Sequence, residues 1–164
     1  MQEWMADVAY KFRIAFIDGD RWKLYLQGLG VTIQIAVFAA ILGVVIGTVI
    51  ALMKMSTTRT GKRTIFSYLA QAYIDIIRGT PSVLQLLIMW FIVMSSSKNG
   101  VLVAVLTFGI NSGAYVSEIM RAGIQAVDHG QMEAGRSLGL SKAQTMRYII
   151  LPQAIKNVLP PIGN

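Results

Sequence analysis

Apolar residues run through this chain in long blocks separated by short charged clusters. No charged side chain falls between Lys23 and Lys54, and within Ile35–Met53 the only polar residue is Thr48. About 20 apolar residues, at roughly 1.5 Å each, cover a hydrocarbon core of about 30 Å. The pattern therefore predicts a first membrane span near residues 29–53. Two more uncharged blocks, from Arg78 to Lys98 and from Lys98 to Glu118, predict spans near 81–97 and 100–120, joined by the turn Lys98-Asn99-Gly100. Ile65 to Ile77 is too short to span and bears Asp75, so it is expected as an interfacial or bundle-packed helix. Arg78-Gly79-Thr80-Pro81 should break it, because Pro81 disfavours helix at Thr80 and suits a new helix start. Past Ser117 the chain turns polar, giving a loop over 121–147 and the start of a fourth span near 148–164. The sequence stops at Asn164 before such a span could finish, and it reads as C-terminally truncated. At the other end, Met1–Lys23 mixes acids and bases with Trp4, Tyr10, Phe12, Phe16, Trp22 and Tyr25. Aromatics of this kind suit the headgroup layer, and an interfacial helix leading into the first span is expected.

Composition narrows the class. Of 164 residues, 54% are hydrophobic and 14% charged, against roughly 25% charged in a soluble domain, and the mean hydropathy is +0.56. A soluble globular domain and a disordered chain are both excluded. The fold class is all-α, a polytopic transmembrane helical protein. The net charge of +7 needs no nucleic acid to explain it. Lys54, Arg59, Lys62 and Arg63 fill one loop and further bases follow Ser117, whereas the turn between the second and third spans carries Lys98 alone. Positive loops stay inside, so both basic segments read as cytoplasmic and the N-terminus as outside. With no cysteine and a single histidine, His129, disulfides, zinc–thiolate sites and Cys nucleophiles are excluded. A His-based metal centre or Ser–His pair has no support, and His129 is assigned nothing. No G-x-x-x-x-G-K-[ST] loop is present, since Gly61-Lys62 is followed by Arg63. The chain is expected to be no enzyme and to hold no cofactor.

The loop over 121–147 carries the most specific signals. Asp128-His129-Gly130-Gln131 fits a capping box and opens a short helix to Leu138, with Gly139 suited to a left-handed exit. Ser141-Lys142-Ala143-Gln144 repeats the signal and opens a second helix running to Pro152. Two helices joined at Gly139-Leu140 make a stiff prong. Within the third span, Asn111, Ser112, Tyr115 and Glu118 are costly against lipid. They serve either as interhelical hydrogen-bonding groups, with Glu118 pairing Arg121, or as pathway lining. Gly43-x-x-x-Gly47 and Gly109-x-x-x-Gly113 permit close helix approach, possible at a dimer seam. Arg78 is expected to shape a helix junction and snorkel toward headgroups.

Glu133-Ala134-Gly135, then Gly139, then Ile149-Ile150-Leu151-Pro152, resembles the EAA loop of bacterial ABC importer permeases: E-A-A, three residues, G, nine residues, I-x-L-P. Arg78-Gly79-Thr80-Pro81 and Asn111-Ser112-Gly113-Ala114-Tyr115 are similar to the polar amino-acid branch (histidine, glutamate, glutamine, arginine, opines). The resemblance covers roughly residues 25–164, and Gly135 departs from the usual second alanine; a glycine inside a short helix costs about 1 kcal/mol relative to alanine, so it is expected to soften the docking helix without removing its role. It implies a type I ABC importer (MetI-like) permease fold in the bacterial plasma membrane. It also implies a second permease subunit, a cytoplasmic ABC ATPase dimer that binds the ATP–Mg, and an extracytoplasmic solute-binding protein. Glu133, Ala134, Gly135, Leu138, Gly139 and Pro152 would then couple to the ATPase, and Asn111, Ser112, Tyr115 and Glu118 would line the pathway. A passive channel or small membrane scaffold is the competing reading, and it would need no cytoplasmic prong.

Overall fold

The computed structural model describes residues 1–56 and 62–163; Arg59 and Gly61 of the basic loop lie outside the described residues. The described residues are predominantly helical, with no β-strand element among them. They form two compact units, Met1–Val37 and Phe38–Asn164. In the first, α1 (Gln2–Phe12) passes through a π-turn, Arg13–Ile17, and a tight turn, Asp18–Asp20, to the start of α2 (Trp22–Met55). Gly19 and Asp20 both adopt positive φ, +67° and +56°, which lets the chain turn in so few residues.

In the second unit, small residues decide the packing. The buried positions of α2 are Ala39, Gly43, Gly47 and Ala51, spaced four apart on one stripe. That stripe meets α5 (Gly100–Gln125), where Gly109 and Gly113 repeat the spacing. A Cβ built on Gly43 would stand 2.6 Å from Ser112 Oγ, one on Gly109 2.5 Å from Leu42 Cδ2, and one on Gly113 2.7 Å from Ile46 Cγ2. The two Gly-x-x-x-Gly motifs therefore face each other inside one chain, not across a dimer seam. Lipid is as apolar as leucine and supplies no hydrophobic drive between helices, so close backbone approach and dispersion hold them. Gly123 gives α8 (Leu151–Gly163) the same access, with Val158 Cγ2 2.2 Å from where its Cβ would be.

Helix α3 (Ile65–Gly79) is stitched to the end of α2. The Ser67 hydroxyl donates to the Lys54 carbonyl at 2.8 Å, and Ser56 and Thr64 share a hydroxyl–hydroxyl hydrogen bond. Its inner face, Ser67, Ala70 and Ile74, is buried, and the Tyr73 hydroxyl donates to the Ile110 carbonyl of α5 at 2.6 Å. It is a bundle-packed helix. Thr80 is extended ahead of Pro81, and α4 (Ser82–Ile88) leaves at 103° to α3, continuing through a π-turn, Met89–Val93. The stretch expected as a separate span over 81–97 is thus a helix over Ser82–Val93, about 18 Å long at roughly 1.5 Å per residue. It is shorter than a hydrocarbon core of about 30 Å. Among the described residues two helices, α2 and α5, are long and apolar enough to cross a membrane, and the bent α3–α4 pair makes a third if counted as one span. The Asn99 side chain caps α5, accepting from Leu102 N at 3.0 Å.

The seam predicts an asymmetry between glycines. Gly47→Ala is expected to lower stability by about 1–3 kcal/mol, because its Cβ would lie 2.6 Å from Val116 Cγ1 and 3.0 Å from the Gly113 carbonyl oxygen, which is backbone. Gly28→Ala, with nothing within 4 Å, should leave stability unchanged or raise it by up to about 1 kcal/mol. Thermal unfolding of both variants in the same detergent checks the contrast.

Candidate functional site

The segment after α5 folds into a compact elbow: α6 (His129–Ser137), α7 (Lys142–Thr145), a π-turn over Met146–Ile150, and α8. The Asp128 carboxylate caps α6 by accepting from Gly130 N at 2.6 Å. The expected return contact from Gln131 is absent. Its Oε1 accepts from Gln153 Nε2 at 3.3 Å, so Gln131 ties α6 to α8 instead of closing a capping box. The second box is complete: Gln144 N donates to Ser141 Oγ at 3.3 Å, and Ser141 N donates to Gln144 Oε1 at 2.9 Å. Between them, Gly139 at φ +83° carries the left-handed exit. Leu140 N donates to the Gly135 carbonyl at 3.1 Å and Gly139 N to the Arg136 carbonyl at 3.0 Å. That pair is a Schellman motif, which satisfies the last carbonyls of α6.

The helix opened at Ser141 runs through Pro152 and on to Gly163. Pro152 has no N–H to give, and the turn before it widens: Leu151 N bonds the Met146 carbonyl five residues back. A π-turn of this kind lets a helix pass proline without breaking. Pro152 itself is exposed.

Gly135 faces inward. A Cβ there would meet Thr145 Cγ2 at 2.5 Å, Thr145 Oγ1 at 2.9 Å and Ile149 Cδ1 at 3.1 Å. Its place is to let α6 close onto α7 and the π-turn, which stiffens the elbow. Glu133, Ala134, Leu138 and Gly139 face outward, and Leu138 is 80% exposed. Ala134 and Leu138 share a face one turn apart, beside the Glu133 carboxylate. The elbow is rooted in a small core of Val127, Ile150 and Ala154, flanked by Ile124, Met132 and Met146. Asn157 Nδ2 also donates to the Gly123 carbonyl of α5 at 3.4 Å.

Within α5, Asn111, Tyr115 and Glu118 stand at spacings of four and three, on one face. Asn111 Nδ2 donates to Gln85 Oε1 at 3.1 Å. Gln85 in turn donates through Nε2 to the carbonyls of Ile77 (2.7 Å) and Thr80 (3.1 Å) and to Thr80 Oγ1 (2.7 Å). One side chain thereby satisfies the open end of α3 and fastens the bend to α5. Tyr115 is half-exposed, with the Arg78 guanidinium 5.0 Å from its ring centre. The bend at the helix junction brings Arg78 over this ring. Ser112 lies apart, in the α2 seam against Gly43.

Glu118 accepts from Lys54 Nζ at 2.5 Å and from Arg121 Nη2 at 2.8 Å, with Lys54 and Glu118 only 15% and 19% exposed. The Arg121 contact follows the sequence spacing, but Lys54 read as one more base of the loop. Among the described residues no group of His, Asp or Glu is placed to hold a metal ion. The arrangement offers a stiff outward-facing elbow rooted on α5 and α8, and a polar face on a helix long enough to cross a membrane.

Comparison with known proteins agrees with this geometry. Residues 43–164 match the family described as "Binding-protein-dependent transport system inner membrane component". The chain is 43% identical over 142 residues to the arginine transport system permease protein ArtQ of Bacillus subtilis. It is 42% identical over 142 residues to the putative glutamine transport system permease protein GlnP of Rickettsia prowazekii. Each alignment takes in 85% of this chain, and the chain spans 63% of the length of either relative. A solved structure described as an amino acid ABC transporter with histidines superposes with a TM-score of 0.77 at 42% identity. That match covers 98% of this chain and 68% of the other.

Two substitutions test the site's construction. Gln85→Leu is expected to cost about 1–3 kcal/mol by leaving the Ile77 and Thr80 carbonyls short of a donor, with faster amide exchange across residues 76–85. Gly135→Ala should destabilise despite a helix-propensity gain of up to about 1 kcal/mol, because Thr145 is wholly buried against it. Adding Thr145→Ala, which removes both nearest atoms, should recover part of that loss, a non-additivity that a double-mutant cycle measures.

Proposed function

We propose that this chain, which belongs to the binding-protein-dependent transport system inner membrane component family, is a membrane-spanning permease subunit of an ATP-binding-cassette importer for polar amino acids. The observation that carries the reading is the elbow. Its inner side is closed by Gly135, the Schellman turn and the Ser141 box, while Glu133, Ala134 and Leu138 remain outside on a surface that none of the described residues covers. An apolar knob beside a carboxylate, held rigid and joined to two membrane-buried helices, fits a groove on a partner that pushes. Leu138, at 80% exposure, is a poor residue for water and a good anchor for an interface core.

The partner in this reading is a cytoplasmic ABC ATPase dimer, which binds the ATP–Mg and does the hydrolysis; this chain contributes no catalysis. A second permease subunit completes the pathway and an extracytoplasmic solute-binding protein delivers the substrate. Closure of the ATPase biases a two-state arrangement of the membrane helices through the docked elbow. The elbow and the Lys54–Arg63 loop face the cytoplasm and the N-terminus faces outward, which the distribution of Lys and Arg supports. Membrane crossings near 29–53 and 100–120, with the region around 81–97 entering through the bent pair, set the polar face of α5 along the route. Asn111, Tyr115 and Glu118 line it, Arg78 borders it, and Ser112 supports it from the α2 seam. The naming of relatives for arginine and glutamine transport supports the substrate class.

Co-purification with the cognate ATPase tests the docking. The wild-type chain is expected to retain it, and Glu133→Arg or Leu138→Asp to weaken retention at least tenfold, which is about 1.4 kcal/mol. Amide exchange across the elbow should stay unchanged, since both side chains point outward. Full retention by both variants would overturn the reading.

A further inference from the structure

The unit Met1–Val37 leaves one face of α1 uncovered. By helical spacing, Trp4, Met5, Val8 and Phe12 share a single arc of the helix, and they are 69%, 61%, 44% and 56% exposed. Glu3 lies on the opposite side, and Asp7 and Lys11, which pair at 2.7 Å, flank the stripe on its Trp4 edge. A contiguous stripe of two aromatic and two aliphatic side chains is a surface that water does not tolerate cheaply.

Three observations identify its cover. The first is the tether. Only the turns over Arg13–Arg21 separate α1 from α2, a helix long and apolar enough to cross a membrane, so the stripe stays within reach of the bilayer surface. The second is an aromatic ladder. Phe12 stacks on Phe16 at 4.8 Å, and Phe16 on Tyr25 at 5.0 Å, carrying the stripe onto the first turn of α2, where Trp22 is also exposed. At 34 residues and 1.5 Å each, α2 exceeds the core by about 20 Å. Its polar Gln27, Thr32 and Gln34 lie toward the Trp22 end, which places that end in the headgroup layer, where tryptophan and tyrosine settle. The third is charge. Met1–Lys23 balances Glu3, Asp7, Asp18 and Asp20 with Lys11, Arg13, Arg21 and Lys23, and Lys11, Arg13 and Lys23 each pair with one of those acids, so no excess of base is present to seek anionic lipid.

We propose that α1 is an interfacial membrane helix. Its Trp4, Met5, Val8 and Phe12 face is seated at the headgroup–acyl boundary of the leaflet that receives the N-terminal end of α2, and it takes phospholipid without regard to headgroup charge. The seat is independent of the transport reading. It fixes the depth at which α2 enters the bilayer, because the aromatic ladder joins the two helices.

The absence of cysteine makes the test direct. Val8→Cys and Glu3→Cys each introduce a single thiol for a nitroxide label, in the whole chain reconstituted in phosphatidylcholine vesicles. At position 8, oxygen dissolved in lipid should relax the label several times more effectively than a water-soluble nickel chelate, and at position 3 the order should invert. The pattern should be unchanged when phosphatidylglycerol is added. Chelate access at both positions would overturn the proposal, and so would protection from both reagents at position 8, which signals a protein surface as the cover. A dependence on phosphatidylglycerol would also overturn it. As a second measurement, Trp22→Phe with Trp90→Phe leaves Trp4 as the sole tryptophan. Lipids brominated near the headgroup end of the acyl chain should quench it, and an unquenched, red emission would sink the idea.

Discussion

Helix α5 holds the larger unit together because its backbone can be reached directly from three directions. Gly109 and Gly113 admit α2, Gly123 admits α8, and the Ile110 carbonyl receives the Tyr73 hydroxyl of α3. In water such contacts would be secondary to the burial of apolar area. In lipid, helix association depends on how closely backbones approach and on whether polar groups find partners. Each glycine therefore acts as a slot for one neighbouring side chain, and the arrangement of helices around α5 follows from where the slots lie.

The same constraint explains the bend between α3 and α4. Breaking a helix exposes carbonyls that lipid cannot satisfy. Thr80 turns its hydroxyl back to the Ile76 carbonyl at 3.0 Å, and Gln85 covers Ile77 and Thr80. Since Gln85 also accepts from Asn111, the repair of the break doubles as its attachment to α5. Lys54, Glu118 and Arg121 perform the corresponding service at the other end of α5. Three charges, costly singly, form one hydrogen-bonded group joining the last turn of α2 to α5. Removing one member would leave the others short of compensation.

Much of this was legible in the sequence, wherever the signal was local. The apolar block of α2, the cap at Asp128, the box at Ser141 and the left-handed Gly139 are all encoded within a few residues of where they act. The expectation of a separate span over 81–97 rests on counting uncharged residues alone. Lack of charge does not reveal that the helix ends at Val93 or that Gln85 binds it back to α3. Contacts between distant positions left no local trace. Lys54 sits 64 residues from Glu118 in what reads as a basic loop, and Gln131 looked like half of a capping box until Gln153 claimed it. Gly135 read as a softening of the docking helix, whereas its missing side chain is what lets the elbow close.

That last reversal bears on how a push at the elbow would travel. A loose α6 would absorb displacement by bending at the glycine. With Thr145 and Ile149 filling the space a side chain would need, α6, α7 and the following π-turn move together, and α8 continues from them without a break. Helix α8 reaches α5 at Gly123, where Val158 packs and Asn157 bonds the backbone carbonyl. The route from the exposed face of Glu133 and Leu138 to the central helix thus runs through packed backbone, the Gly135–Thr145 contact and the small core of Val127, Ile150 and Ala154. In the proposed importer a displacement of the docked surface would reach the polar face of α5 little diminished. The hinge must then lie elsewhere than in the elbow. The α3–α4 bend is held to α5 by the Gln85–Asn111 hydrogen bond and by the Arg78 guanidinium over the Tyr115 ring, side-chain contacts that can be exchanged.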